Sequence, residues 1–393
     1  MKGEIYFDNL NFFTTLFPKG VDIKQTSFSI TSNRLSLNNA LVKTGTSDLI
    51  LSGNIFNLQK NLKGDSSLKA DLDIKSEFLN INEITSILDK SSKYDSNQDE
   101  NEVNLIAHSD GDVDQDETIS HLDTIVDPKY VIFKLNLNLD SVSYSDLILE
   151  EVTGNMLIRN QILRLNDFKT RTKAADLDAT AVYLARSKGG AKAYFNIKLT
   201  DVDIENMMQI LPFLDTLLPM TKDFEGKVNL GMRGSAKLDE HMGIKTSTLE
   251  SVARLEGQDL ILLDGETFRY LAKTLKFKNR DKHTLDTLAV EMAIENGALE
   301  IFPSLVTMDR YKVAIGGTQN LDLSFAYHIS VLKSPLPFKT GIDIYGEVDD
   351  YDYKLTKAKY KYIFSGKEKD QDKVDPELTR KRQEILEKIK FDN

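Results

Sequence analysis

Residues 294–317 read IENGALEIFPSLVTMDRYKVAIGG, and within them Leu299, Ile301, Val313 and Ile315, closed by Gly317, set a spacing that recurs. Positions numbered 264 lower carry Leu35, Leu37, Leu49, Leu51 and Gly53, and positions numbered 136 lower carry Leu163, Leu165, Leu177, Ala179 and Ala181. Neither comparison needs a gap. Asn296 also falls on Asn160 in one copy, whereas Asn33 stands one place late in the other. Recurrence at fixed spacing points to an architecture built from copies of one supersecondary unit, none of which buries its apolar face alone.

That unit is made of strands. Leu68, Ala70, Leu72 and Ile74 alternate with charged residues; Val131, Phe133, Leu135, Leu137 and Leu139 keep the same period, as do Phe195, Ile197 and Leu199. Strict alternation gives an antiparallel strand one apolar and one wet face. Asn296-Gly297 between two such runs is a hairpin signal, because both residues tolerate positive φ. Each copy therefore reads as a short meander, with one strand before the Asn turn and two or three after it. Helices are few. Asn80-Ile-Asn-Glu-Ile84 and Asp203-Ile-Glu-Asn-Met207 place a capping side chain ahead of an apolar helical run. Further helices are expected at Glu266–Leu275, where Phe268, Leu271, Ala272 and Leu275 share a face, and after Asp375-Pro376. The organisation that follows is a first β-repeat segment over 1–88, an acidic insertion over 89–128, a second β-repeat segment with a helix over 129–222, a C-terminal β region over 223–365, and a charged tail with an amphipathic helix over 366–393. The insertion is rich in Asp, Glu, Ser and Asn and too poor in apolar residues to build a core, so it reads as disordered.

Composition narrows the function. At 393 residues and 40% hydrophobic, the chain is long enough for two or three domains or one extended one. It has no Cys, which removes disulfides, thiolate metal sites and Cys nucleophiles and suits an oxidising compartment. Its net charge of −11, from 50 basic and 61 acidic residues, disfavours a phosphate-tracking surface, so nucleic acid is not an expected partner. No stretch supplies the roughly 18 to 20 apolar residues of a membrane helix. The nearest, Met207 to Met220, is interrupted by Pro212, Asp215 and Pro219. Ile5 and Phe7 already alternate, so the chain reads as a piece of something longer.

Catalytic and metal signatures are weak. Asp110-Gly-Asp112-Val-Asp114-Gln-Asp116 resembles the opening of a calcium loop, but Gln115 stands where the sharp turn needs Gly and His121 where a bidentate Glu should be. His108, His121, His241, His283 and His328 form no metal-binding spacing and read as surface or strand-end residues. Neither a nucleophile elbow nor a phosphate loop occurs, and carboxylate pairs such as Glu150-Glu151 or Asp349-Asp350 are uninformative in so acidic a chain. No enzyme, cofactor or metal is expected. What remains is the apolar face. Successive meanders with few helices to cover them leave an apolar trough, and a trough solvates acyl chains at roughly 0.8 kcal/mol per buried CH₂.

The residues from about Phe224 to Lys361 resemble the C-terminal region of the AsmA-like family, Gram-negative envelope proteins of the Bacteroidota type. The resemblance rests on Phe224-Glu-Gly226-Lys-Val-Asn-Leu230, Leu238-Asp239, Leu249-Glu-Ser251, Gly257-Gln-Asp-Leu260 and the helix Phe268 to Leu275 with its LAKTLKF run. It continues through Ile294-Glu-Asn-Gly297, Gly316-Gly317, the run from Leu321 to Ile329, Ser334-Pro-Leu-Pro337 and Gly341-Ile-Asp-Ile-Tyr-Gly346. The first half, with its own repeat copy and the ILPFLDTLLP segment, is similar too. The resemblance implies an inner-membrane protein whose repeating sheet crosses the periplasm as an apolar channel for phospholipid, with no catalytic residues. The family's N-terminal membrane helix is missing from this chain, and the acidic insertion departs from the pattern. The expected fold is thus all-β, a repeat-built curved antiparallel sheet forming an apolar trough, with a few short helices. Its expected role is non-enzymatic lipid binding or transfer between inner and outer membrane. Leu35, Leu37, Leu49, Leu51, Leu163, Leu165, Leu177, Leu299, Ile301, Val313 and Ile315 are the groove candidates. Two alternatives stand beside it: a structural scaffold for outer-membrane biogenesis with a closed β core, and a glycan hydrolase with carboxylates converging in a cleft.

Overall fold

A computed structural model of the chain describes residues 2–12, 20–57, 67–83, 131–159, 162–187, 190–206, 210, 224–239, 243–262, 283–308, 311–334, 340–347, 350–364, 380 and 383. The acidic insertion, the helices expected at Glu266–Leu275 and after Pro376, and the Met207–Met220 segment lie outside the described residues or are only touched by them. The described residues are overwhelmingly strand and belong to one open sheet. Among the described residues, helical turns are limited to residues 81–83, Ile204–Asn206, Thr246–Thr248 and isolated positions. Among the described residues no helix is long and apolar enough to cross a membrane.

The repeat is structural as well as sequential. β3 (Arg34–Thr44) pairs with β4 (Ser47–Phe56), and β16 (Ala298–Met308) pairs with β17 (Tyr311–Asn320). Leu37 faces Gly53 and Ala40 faces Leu51, with the register slipping between them; 264 positions on, Ile301 faces Gly317 and Ser304 faces Ile315 with the same slip. A bulge places two residues opposite one and leaves an extra residue outside the ladder. Asn39 occupies it with φ of 48°, and Asp167, 136 positions before Pro303, repeats it with φ of 49° in β9 (Ile162–Arg171). Asn and Asp are the residues that enter this left-handed region most readily. Pro303 fills the third copy, where the slip removes the need for a backbone N–H in the middle of a strand. The Asn296-Gly297 turn takes φ values of 53° and 75°, as its hairpin reading requires.

The sheet is mixed rather than purely antiparallel. β5 (Leu68–Ser76) and the two-residue β6 (Leu79–Asn80) pair in parallel with β7 (Val131–Tyr144). Parallel neighbours need a crossover of about a dozen residues or more, and the stretch 81–130 supplies one where a tight hairpin cannot. Its entry is fastened by two carboxylates. Asp48 accepts hydrogen bonds from the Glu77 and Phe78 amides, and Glu83 accepts from the Thr46 amide and the Thr46 and Ser47 hydroxyls. Both expected capping residues perform as read: Asn80 Oδ1 accepts from the Asn82 amide and Asp203 Oδ1 from the Glu205 amide, each at 3.1 Å.

The chain divides into two compact units. The first comprises Met1–Arg171, Thr180–Lys192 and Leu238–Gly243; the second comprises Thr172–Ala179, Ala193–Lys237 and Ile244–Asn393. The first unit holds β1 (Lys2–Phe12), β2 (Val21–Thr31), β8 (Leu147–Arg159) and the strands β3 to β7 and β9 already given. β10 (Asp176–Ser187) and β11 (Gly190–Asp203) contribute to both. The second continues with β12 (Phe224–Glu225), β13 (Lys227–Lys237), β14 (Glu250–Leu262), β15 (His283–Glu295), β16 and β17. It ends with β18 (Ser324–Lys333), β19 (Gly341–Glu347) and β20 (Asp350–Thr356).

Gly317 shows how tightly neighbouring strands approach. Its φ is 154°, and a Cβ there would sit 2.2 Å from the Ala326 carbonyl oxygen, whereas a Cβ at Gly231 would meet nothing within 4 Å. Gly317→Ala is therefore expected to destabilise the second unit by about 1–3 kcal/mol through backbone strain. Gly231→Ala should lie within about 0.5 kcal/mol of wild type. Urea unfolding of the two variants checks the difference.

Candidate functional site

The pairing register lines up apolar side chains across the whole first unit. One row runs Ile5, Phe28, Leu37, Gly53, Leu72, Leu135, Met156 and Leu165 through β1, β2, β3, β4, β5, β7, β8 and β9. A second, one pleat away on the same face, runs Ile30, Leu35, Ile55, Ala70, Phe133, Ile158 and Leu163. Leu51, Ile74 and Leu137 begin a third. Side chains opposite one another on paired strands project to the same side, so these rows form one surface. At about 4.8 Å per strand, eight strands carry it across about 34 Å. The reverse face is polar, with Lys69, Asp71, Asp73, Lys134 and Asn136 in the intervening positions and Asn136 donating to Asp73 at 2.8 Å.

This surface is only partly covered. Ala70 is buried, but Leu35, Leu37, Leu51, Leu72, Phe133, Leu135, Met156, Leu163 and Leu165 are half-buried, and Ile5 and Ile30 are 43% and 39% exposed. Among the described residues it closes at one end, where Leu79, Leu139, Val142 and Val152 form a small dry cluster with Leu49, Ile74 and Leu137 packed against it. The equivalent face of the second unit is a dry core. Leu230, Met232, Met292, Ile294, Leu299, Val306 and Val331 are 1–5% exposed, and Leu177, Ile301, Val313 and Ile315 pack against them.

The eleven groove candidates therefore separate by environment. Leu35, Leu37, Leu51, Leu163 and Leu165 lie in the half-open ladder, and Leu49 packs against its closed end. Leu299 is core, with Leu177, Ile301, Val313 and Ile315 on its margin. The sequence marked the alternation in β5 and β7 without assigning it to a site. Ile5, Phe28, Leu72, Phe133, Leu135, Met156 and Ile158 join the ladder only once the register is known.

His328 departs from its sequence reading. It is neither a surface nor a strand-end residue but sits inside β18 at 3% exposure, because β18 is covered on both faces. Its Nδ1 meets Asp343 Oδ1 at 2.5 Å, its Nε2 meets Ser330 Oγ at 2.9 Å, and the Lys359 amide donates to Nε2 at 3.1 Å. That amide fixes the tautomer: Nε2 accepts, so Nδ1–H donates to Asp343. The Lys359 ammonium donates to Asp343 at 2.8 Å, the Tyr360 amide donates to Ser330 Oγ at 2.9 Å, and the Tyr360 ring meets the imidazole edge-on at 5.0 Å. Burial lowers the His328 pKa, outweighing the hydrogen bond to Asp343 that raises it. Burial also pushes the Asp343 carboxyl upward, but the hydrogen bonds from Lys359 and His328 prevail and hold it below the usual carboxylate value. Burial pushes the Tyr360 hydroxyl up to about 12. Carboxylate, imidazole and hydroxyl stand in the order of a hydrolytic triad, yet Ser330 is 0% exposed and its oxygen is already occupied by the Tyr360 amide. The cluster holds structure and presents no nucleophile.

A cleft of about 530 Å³ lies on the opposite side of β13 to β15, with Lys198, Arg233, Arg254, Glu256, Glu291 and Phe302 among its lining. Arg254 is held there by Glu256 at 2.5 Å and by Glu291 at 3.6 Å, so its charge is met within the protein. No group of three or more potential metal ligands occurs among the described residues. The incomplete calcium-loop pattern, His108, His121 and His241 lie outside them. Comparison of the chain with family models, with curated proteins and with solved structures finds no match.

Leu35 and Leu299 occupy the same place in the repeat but different surroundings. Leu299→Ala should cost the second unit about 2–5 kcal/mol, the range for emptying a packed site. Leu35→Ala should cost the first unit under about half of that, because less area leaves water when the side chain folds in. Denaturant melts followed by a probe in each unit measure both.

Proposed function

We propose that the chain is a non-enzymatic lipid-binding segment of a cell-envelope protein, holding phospholipid acyl chains against the apolar ladder of its first unit. The observation that carries this reading is the contrast between two faces built from the same repeat, one filled to dryness and the other left half-open over about 34 Å. Monomeric soluble proteins rarely leave so large an apolar surface without an occupant. An acyl chain suits it, because the ladder offers aliphatic and aromatic side chains with no polar group to pair, and each CH₂ removed from water contributes roughly 0.8 kcal/mol. The AsmA-like resemblance supports the same occupant and a periplasmic position, between an inner-membrane anchor and the outer membrane. The absence of Cys is compatible with that compartment. No cofactor or nucleic acid enters the reading.

A second reading is favoured by the second unit. Its closed core suits a scaffold for outer-membrane biogenesis, with the first unit's face covered by a protein partner instead of lipid.

Native mass spectrometry of the chain purified from a Gram-negative host, with lipid extraction of the same sample, separates the two. At least one co-purified phospholipid per chain is expected, lost in Phe28→Asp and Leu135→Asp variants that keep a wild-type circular dichroism spectrum. A folded, monodisperse, lipid-free wild-type chain would remove the lipid reading and leave the scaffold.

A further inference from the structure

The segment Lys357–Phe364 follows β20 and returns across the face of the sheet opposite the second unit's core. It is fastened there through two neighbouring side chains of β18, with Asp343 of β19 holding the Lys359 ammonium. The Lys359 amide rests on His328 Nε2, the Tyr360 amide rests on Ser330 Oγ, and Ser330 Oγ is itself within hydrogen-bonding distance of Nε2. Gly341, beside the imidazole, leaves room for this crossing, since a Cβ there would sit 2.5 Å from His328 Cε1 and 2.4 Å from the Lys357 carbonyl oxygen.

We infer that this arrangement is a proton-sensitive latch: protonation of His328 releases the Lys357–Phe364 segment from β18 and β19. The reason is geometric. With a proton on Nε2, the ring presents N–H to the Lys359 N–H at the 3.1 Å now spanned by a hydrogen bond, and two donors face each other with no acceptor between them. The Ser330 hydroxyl, which donates to Nε2, must also turn so that it no longer points its proton at the ring, while its oxygen can still accept from Tyr360. One proton therefore removes the Lys359 anchor and rearranges the hydroxyl beside the Tyr360 anchor.

The other charged groups around the ring oppose or permit this in known directions. From β19, Asp343 favours the imidazolium and stays ionised throughout, because its own pKa lies below the usual carboxylate value. From the segment itself, the Lys359 ammonium disfavours the imidazolium. Lys354 of β20 stands opposite Asp343 in the register, and Glu300 of β16 acts on Tyr360, whose hydroxyl remains neutral below pH about 12. β17 contributes Gly316 opposite His328 and no charge. Burial lowers the His328 pKa in the closed state, so the closed latch binds fewer protons than the open one. Its stability is then fully present above the ordinary imidazole value of about 6.5 and is lost progressively as the pH falls below it. The latch lies within the second unit and stands independently of the lipid reading.

Hydrogen exchange of the full chain at pH 7.5 and pH 5.0, corrected for intrinsic rates, tests it. Protection of the Lys359 and Tyr360 amides should fall at the lower pH, while β14 to β16 keep theirs. The change should be absent in His328→Gln, whose amide oxygen can accept from Lys359 at either pH. Unchanged protection in wild type, or an equal loss in His328→Gln, overturns the latch. Should His328→Gln fail to fold, NMR titration of the His328 Cε1 proton in wild type decides: opening must share the midpoint of imidazole protonation, and a separate midpoint overturns it.

Discussion

Hydrogen-bond register governs this protein. A strand shows alternate residues to opposite faces, so the pairing of each strand with the next decides whether apolar residues join into one surface or are dispersed between two. Leu35, Leu37, Leu163 and Leu165 are unremarkable as single residues. They become parts of rows because β2, β3, β4, β5, β7, β8 and β9 hold one phase, through antiparallel and parallel pairings alike. The bulge at Asn39, repeated at Asp167 and at Pro303, belongs to the same constraint. An extra residue shifts the phase of a strand, and the slip returns Ala40 and Ser304 to register with Leu51 and Ile315.

Identical register does not give identical burial. Leu35 and Leu299 occupy corresponding places in corresponding hairpins, and one is half-exposed while the other is 1% exposed. The hairpin supplies the apolar face; what packs on that face is decided elsewhere in the chain. In the second unit, Phe195, Leu199, Val202, Ile204, Leu249 and Leu260 join the core from outside the repeat. Among the described residues of the first unit the added buried residues are fewer, clustered around Leu79 and Val142 at one end of the ladder.

This difference explains what the sequence disclosed. Alternation, the Asn-Gly turn, the two capping residues and the offsets of 264 and 136 were all legible, because each is a local property of a few residues or a comparison of the chain with itself. The parallel step between β5 and β7 was not, since alternation carries no direction. The ladder was half-legible: its strands announced an apolar face, but the neighbours that make Met156 continuous with Leu72 come only from the pairing. His328 was misread for a related reason. Its neighbours Tyr327 and Ile329 mark one buried face, and nothing nearby in sequence says that Lys359 and Tyr360, some thirty residues later, bury the other.

The position of that histidine follows from the way an open sheet can be finished. A sheet with one apolar face leaves its polar face in water, where a crossing segment finds little apolar area to hold it. Such a segment must then be fastened by directed bonds to its backbone amides. The side chains that accept those bonds must be neutral, or be charged and paired, once the segment covers them. Ser330 and His328 are the neutral acceptors here, and Asp343 is the paired charge, held by Lys359 from the segment it helps to retain. Serine keeps its acceptor at any pH and the ionised aspartate keeps its own across the neutral range. Imidazole alone among the three loses its acceptor on gaining a proton near neutrality. A fastening of this kind is therefore conditional on pH wherever its central acceptor is a histidine.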